Sequence, residues 1–282
     1  MNLNSRKIIL LGLSFCLIFC QPIFSQSKTS SKTPIITAKA AIVVDARNGG
    51  VLYGKNQNLR LPPASTTKVM TVIVAMERLK LNQLVKVSRN AFNAPASRAG
   101  LTQGASYTVF DLITACLVSS SNDAAVALAE AIAGDERQFA VLMNEKAQSF
   151  GMTNTRFINS TGLPEKNKKQ YSTVYDLSLL MRQAAKNKLI DDIMAFTYTS
   201  IRGTDDKSIP LRSHNKMLWR IPKFVKGKTG WTLASRHTFA GMDYASQKKV
   251  IVAMLYSQKP WADIERLVTL GHALERKHWW IF

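Results

Sequence analysis

Ser65-Thr66-Thr67-Lys68 follows Pro62-Pro63-Ala64, a break in the chain that suits the start of a helix. At i, i+3 spacing a hydroxyl and an amine share one helical face and come within mutual reach. A serine attacks an acyl carbon only when a neighbouring base takes its proton. A lysine, with an ordinary pKa near ~10.4, is such a base only if burial or a second cation lowers that value. A helix start also aims backbone N–H groups at developing negative charge. Alone, the same four residues fit a helix start with a solvated lysine.

Two further motifs gain meaning beside the first. Ser120-Ser121-Asn122 sits between two helical patterns. There Ser120 can relay a proton and Asn122 can orient a lysine and a substrate amide. Ser and Asn are also ordinary N-caps. Gly227-Lys228-Thr229-Gly230 superficially resembles a phosphate loop, but Pro222 stands where that loop needs glycine, and the flanking pattern is strand-like. On a strand, Lys228 and Thr229 present a cation and a hydroxyl suited to a carboxylate, and Gly230 lets a ligand approach the backbone closely. Taken singly, this motif too fits a turn with a surface lysine.

The elements that must hold these residues are legible. Apolar runs at 41–44 and 51–53 flank Arg47-Asn48-Gly49-Gly50 and predict a hairpin. Val69, Val72, Ile73, Met76 and Leu79 keep helical spacing over 65–81. Val85-Lys86-Val87 reads as a short strand. Thr108 with Asp111, and Thr173 with Asp176, are capping-box signals for helices over 112–118 and 177–186. Helices over 123–133 and 136–150 end at Gly134 and Gly151. The pattern then turns to strands at 197–201, 238–244 and 250–256, with a last helix over 261–276. Strands at both ends and helices between predict an α+β fold: one antiparallel sheet from N- and C-terminal strands with an inserted helical subdomain.

Composition narrows the setting. The chain has 282 residues and a net charge of +20, with 46% apolar residues. That is enough for a sizeable core and too apolar for general disorder. Arg6 and Lys7 precede an apolar run over 8–19 and a polar exit, the layout of a secretory signal over 1–25. A flexible tether follows over 26–38, then one domain over 39–282. Export makes nucleic acid an unsuitable partner for the positive charge, which suits anionic envelope material or a peripheral membrane surface. Cys16 and Cys20 fall in the signal and Cys116 is left alone, so no internal disulfide is expected. Cys116 reads as a small buried hydrophobe. Cys20 is a poor lipidation site because the bulky Phe19 precedes it.

The ordered set S-x-x-K, S-x-N, K-T-G resembles the active-site serine penicillin-recognising enzymes. Ser121-Asn122-Asp123-Ala124-Ala125, Asn159-Ser160-Thr161-Gly162-Leu163-Pro164, Tyr171-Ser172-Thr173 with Asp176-Leu177, and Lys228-Thr229-Gly230-Trp231-Thr232 extend the likeness. Over residues 39–275 the chain is similar to the serine D-alanyl-D-alanine carboxypeptidases, the low-molecular-mass penicillin-binding proteins. The resemblance implies a β-lactamase/transpeptidase-like fold and needs no cofactor or metal. It makes Ser65 the acylated nucleophile, Lys68 its base, and Ser120 and Asn122 the second motif. Lys228 and Thr229 would hold the terminal carboxylate, and the backbone N–H groups of Ser65 and Trp231 would form the oxyanion hole beside Gly230. Lys228 would also keep Lys68 neutral by like-charge proximity.

The implied partners are peptidoglycan stem peptides as substrate and β-lactam antibiotics as covalent inhibitors, in the periplasm or cell envelope. The alternatives are a DD-endopeptidase cutting cross-links, a class A-like β-lactamase, and a non-catalytic penicillin sensor. A class A β-lactamase needs a glutamate to activate the deacylating water. Glu165, in Pro164-Glu165-Lys166-Asn167, does not resemble that loop. Many members carry a further β-domain and a membrane anchor, for which a chain ending at Phe282 has no room. Its Trp279-Trp280-Ile281-Phe282 tail is expected to pack as the end of the last helix rather than at a membrane.

Overall fold

Ala40-Ala41-Ile42-Val43-Val44 is an unbroken apolar run in which every residue is buried. A strand with one wet face alternates polar and apolar residues, so this one must be covered on both faces. The computed structural model describes residues 35–220, 225–244 and 249–277. The expected signal over 1–25, most of the tether and the Trp279–Phe282 tail lie outside those residues.

In chain order, β1 (Ala40–Asp45) and β2 (Val51–Lys55) form the expected hairpin, and a 3-10 turn (Ala64–Thr67) leads into α1 (Lys68–Arg78). Then come β3 (Leu84–Lys86), α2 (Arg89–Phe92), β4 (Ser106–Thr108), α3 (Val109–Val118), α4 (Asn122–Ala133) and α5 (Glu136–Ser149). After α6 (Val174–Ala184) and α7 (Lys188–Ile193) follow β5 (Tyr198–Arg202), β6 (Ser208–Arg212), β7 (Val225–Thr232), β8 (Arg236–Asp243), β9 (Val250–Ser257) and α8 (Pro260–Lys277). The main sheet has the order β2-β1-β9-β8-β7, antiparallel throughout. N- and C-terminal strands thus meet in one sheet, and the helical block is inserted between them.

The two faces of the sheet have different covers. Ala41, Val43 and Met254 pack with Ile264, Leu267 and Val268 of α8. Ala40, Ile42, Ala253 and Leu255 face the larger core, with Met70 of α1, Leu112 of α3, Leu128 of α4 and Leu177 of α6. The strand β7 is left at the sheet edge, against the 3-10 turn that carries Ser65.

Several expectations need correcting. The tether does not run to residue 38: Ile36 and Ala38 are buried, and Thr37 donates to Asp263 through its N–H (2.9 Å) and hydroxyl (2.6 Å). The helix expected over 65–81 starts as a tighter 3-10 turn and stops at Arg78, with Leu79 already extended. The ribbon partners β4 and β6 and the short helices α2 and α7 were not legible. β6 carries Pro210, which reads as a strand breaker yet is tolerated in a two-stranded edge ribbon. In the Thr108 and Thr173 caps the hydroxyl does accept from the N–H of Asp111 and Asp176 (3.1 and 3.0 Å). Asp111, however, takes the Thr108 hydroxyl rather than its backbone N–H (2.6 Å), and Asp176 binds Asn154 and Thr155 instead. Among the described residues no helix is long and apolar enough to cross a membrane.

Candidate active site

Ser65 lies in the 3-10 turn before α1, and the same turn sends Lys68 inward, where it is fully buried. Lys68 Nζ reaches Ser65 Oγ at 3.1 Å, Asn122 Oδ1 at 2.6 Å and the Thr161 carbonyl at 2.9 Å. Two of these partners can only accept, so two N–H groups are committed to them. The third position faces the serine. It is a third N–H in the ammonium, or the lone pair that receives the serine proton in the neutral amine. Burial pushes Lys68 down to about 8, opposed by Cys116, Glu136 and Asp123. The site can therefore change protonation state without rearranging.

Ser120 and Asn122 enter from the α3–α4 junction. Ser120 has a left-handed backbone, φ +61°, and Ala64 beside the nucleophile has φ +49°. Non-glycine residues held there store about 1–3 kcal/mol each, and such strain concentrates at functional sites. Ser121 stands at the N-cap of α4 without a side-chain capping bond; its hydroxyl instead meets Ser119 Oγ at 2.7 Å. Asn122 is the first residue of α4. Its Nδ2 donates to the Pro95 carbonyl (2.9 Å), which fixes the amide so that Oδ1 faces Lys68. Asp123 holds the loop above by accepting from the N–H groups of Ala99, Gly100 and Leu101 at 2.9–3.1 Å.

From β7, Lys228 is likewise buried, and its Nζ donates to Ser120 Oγ (2.9 Å) and the Thr229 carbonyl (2.8 Å). Burial, then the charge of Lys68, pushes Lys228 well below the ordinary lysine value. Burial is the first cause at both lysines, and repulsion between two like charges disfavours the doubly protonated pair. Gly230 has no room for a side chain: a Cβ would stand 2.4 Å from Thr238 Oγ1 and 2.7 Å from the Ser65 backbone nitrogen. The edge strand thereby reaches the nucleophile. Ser65, Ser120, Asn122, Thr229, Gly230 and Trp231 line one cleft of about 430 Å³, with both lysines buried behind it. All eight sequence-predicted residues are brought together.

Other contributors had no role in the sequence reading. Thr161 supplies a carbonyl to Lys68, and its turn is built by Asn159 Oδ1, which accepts from the Gly162 N–H at 2.8 Å. Glu136 accepts from the N–H and hydroxyl of Ser160 (3.0 and 2.6 Å), and Thr71 donates to the Ser160 carbonyl (2.6 Å). The 159–164 run was visible as part of the resemblance, but a backbone carbonyl leaves no residue-type signal. His214 also lines the cleft, its imidazole held below its usual value by burial, then by Lys228 and Lys68. Among the described residues no group of three or more His, Cys, Asp or Glu side chains could hold a metal ion.

Comparison with known proteins identifies the family and the fold. The family model described as D-alanyl-D-alanine carboxypeptidase matches residues 27–258. Among curated relatives, the D-alanyl-D-alanine carboxypeptidase DacF of Bacillus subtilis is 32% identical over 79% of this chain and 58% of that protein. This chain thus spans less than two thirds of that relative's length. A D-alanyl-D-alanine endopeptidase of Escherichia coli is 31% identical over 86% of this chain and 79% of that protein. A crystal structure of a D-alanyl-D-alanine carboxypeptidase from Mycobacterium tuberculosis superimposes with a TM-score of 0.82 at 31% identity, covering 87% of this chain and 95% of that one. A mutant DD-transpeptidase from Streptomyces gives 0.79 at 25% identity over 85% and 99%. Penicillin-binding protein D2 of Listeria monocytogenes, solved in its ampicillin-bound form, gives 0.74 at 29% identity over 84% and 98%. The architecture is the α+β transpeptidase-like fold.

Proposed function

The chain belongs to the D-alanyl-D-alanine carboxypeptidase family of serine DD-peptidases, and from that premise we propose that it hydrolyses the terminal D-Ala-D-Ala bond of peptidoglycan stem peptides through a Ser65 acyl-enzyme. The observation that carries this reading is Lys68 Nζ, buried and 3.1 Å from Ser65 Oγ, held by two acceptors that leave its third position for the serine proton.

Neutral Lys68 takes the proton as Ser65 Oγ bonds to the carbonyl carbon of the penultimate D-Ala. The carbonyl oxygen becomes an oxyanion, met by the N–H groups of Ser65 and Trp231. Collapse breaks the C–N bond, and the departing amine takes the proton held by Lys68, relayed through Ser120, which is already hydrogen-bonded to Lys228. Water then adds to the ester and gives its proton to the neutral Lys68; the C–Oγ bond breaks, and Lys68 returns that proton to Ser65 Oγ. Lys228 and Thr229 receive the terminal carboxylate, and Asn122 orients the substrate amide. A β-lactam presents the same carboxylate and a strained amide, so it acylates Ser65 as well; the ampicillin-bound Listeria relative supports this.

An endopeptidase reading has its own support, because a relative at 31% identity is named as one. A class A-like β-lactamase has less. Glu165 is engaged by Asn159 Nδ2 (3.0 Å) and Lys168 (2.6 Å), and it does not line the cleft with Ser65. We further propose that residues 1–25 direct export to the periplasm or envelope and that the catalytic domain follows the tether.

Purified protein incubated with a pentapeptide-ended monomer and a cross-linked dimer separates these readings. Release of D-Ala from the monomer, abolished in Ser65→Ala, is expected. Cleavage of the dimer alone would make it an endopeptidase. An acyl-enzyme without turnover would make it a sensor, and hydrolysis by Ser65→Ala would remove the nucleophile assignment.

A further inference from the structure

A second cleft, of about 390 Å³, adjoins the first. The two share a wall: Leu163 lines the first cleft, while its neighbours Gly162 and Pro164 line the second. They also share β7. Lys228, Gly230 and Thr232 alternate onto one face of that strand, and Thr232 lines the second cleft.

The order of these residues sets a direction. A terminal carboxylate at Lys228 and Thr229, with the scissile carbonyl at Ser65 beside Gly230, sends the upstream peptide toward Thr232. Two residues of extended chain cover ~7 Å, as two residues of β7 do. The second residue upstream of the acylating D-Ala therefore arrives at the second cleft.

The chemistry there is specific. Gln170 is 8% exposed, and its Nε2 donates to the Leu163 carbonyl at 2.9 Å, which fixes the amide. Its Oε1 is a buried acceptor with no hydrogen-bond partner among the described residues. A buried unsatisfied acceptor favours a ligand that brings a donor, such as a peptide N–H. Around it stand Lys169, with no ion-pair partner among the described residues, Lys168, and Arg60, whose guanidinium lies 4.9 Å from the Tyr171 ring centroid. Glu165 on Lys168 is the acid found at this rim.

We propose that this cleft is an extended subsite for an acidic stem peptide: Gln170 Oε1 accepts a peptide N–H, and Lys168, Lys169 and Arg60 receive a carboxylate on the second residue upstream of the acylating D-Ala. This rests on the DD-peptidase reading and adds a substrate preference to it.

Three probes test it: N-acetyl-γ-D-glutamyl-L-lysyl-D-alanyl-D-alanine, the same peptide with the glutamyl α-carboxylate as its amide, and diacetyl-L-lysyl-D-alanyl-D-alanine. Wild-type kcat/KM should favour the acid over the amide by about two- to fivefold, the range for partly exposed ion pairs, and the preference should shrink as salt is raised. Lys169→Gln should remove most of that preference while leaving the diacetyl peptide and penicillin acylation of Ser65 unchanged. The same acid–amide difference should appear in the Kd of Ser65→Ala, which cannot be acylated. Equal handling of acid and amide in both measurements overturns the subsite. An acid preference in Kd without any hydrolysis by the wild type keeps the subsite and overturns the peptidase reading.

Discussion

At Lys68 two effects compete. Complete burial disfavours the ammonium, while neighbouring negative charge would favour it. Cys116 opposes burial only as a thiolate, yet burial pushes that thiol up to about 12, so it carries no charge at neutral pH. Glu136 and Asp123 remain as the opposing charges, and burial wins, bringing Lys68 to about 8. A base with that value is protonated below it, so acylation should rise about tenfold per pH unit up to roughly pH 8 and then level. A stopped-flow pH profile of penicillin acylation checks this; a flat profile from pH 6 to 9 would remove Lys68 as the base. Lys68→Arg keeps the charge without a titratable base and should cost at least about a hundredfold for every substrate. Lys228 acts differently. Its truncation should cost a D-Ala-D-Ala acid tenfold to a hundredfold more than the C-terminal amide, on the order of a charge-assisted hydrogen bond. The same lowering of Lys68 has a stability consequence. The unfolded chain binds this proton more tightly than the native protein, so stability rises with pH between about 8 and 10.5.

At the scale of elements, the site is a junction of a 3-10 turn, a helix junction, a loop and an edge strand, and close backbone approach decides whether they meet. Gly162 makes the tightest of these contacts. Its φ is +82°, and a Cβ there would lie 1.9 Å from the Ala64 carbonyl oxygen, a backbone atom of the nucleophile's own turn. Gly162→Ala therefore combines an unfavourable φ with a clash that no rotamer relieves, and should cost about 2–4 kcal/mol. It should also slow acylation, because the Thr161 carbonyl leaves Lys68. Urea unfolding and the acylation rate measure the two effects separately. A variant with wild-type values in both would show that the turn does not set the position of Lys68.

At the scale of the molecule, one buried carboxylate closes the chain on itself. Asp263 of α8 accepts from the Thr37 N–H and hydroxyl, the Ala38 N–H (2.9 Å) and Ser257 Oγ (2.6 Å). This bracket ties the entry to β1, the exit of β9 and α8 together. A mature N-terminus near Gln26 lies before all of its donors, so removing residues 1–25 should leave the thermal midpoint of the domain unchanged. Intact mass of protein from the envelope fraction should show that loss. Full-length protein with Met1, found in the cytoplasm, would overturn the export proposal.

Much of this was decided by residue type and local spacing. The hairpin, α1, α3 to α6, β8, β9 and α8 follow from apolar period, glycine stops and threonine caps, all of which act within a few residues along the chain. Ser65, Lys68, Ser120, Asn122, Lys228, Thr229, Gly230 and Trp231 were legible because side-chain chemistry is written in residue type, and because three motifs in order carried a family resemblance. The ribbon partners of β3 and β5 were not, since a short strand is stable only against a neighbour distant in sequence. The Thr161 carbonyl, the Asp123 grip on residues 99–101, the Gln170 oxygen left without a partner among the described residues and the docking of Thr37 on Asp263 belong to tertiary structure alone. Burial belongs there too. It turns two ordinary lysines into groups of lowered pKa, and it depends on what the whole chain excludes from water.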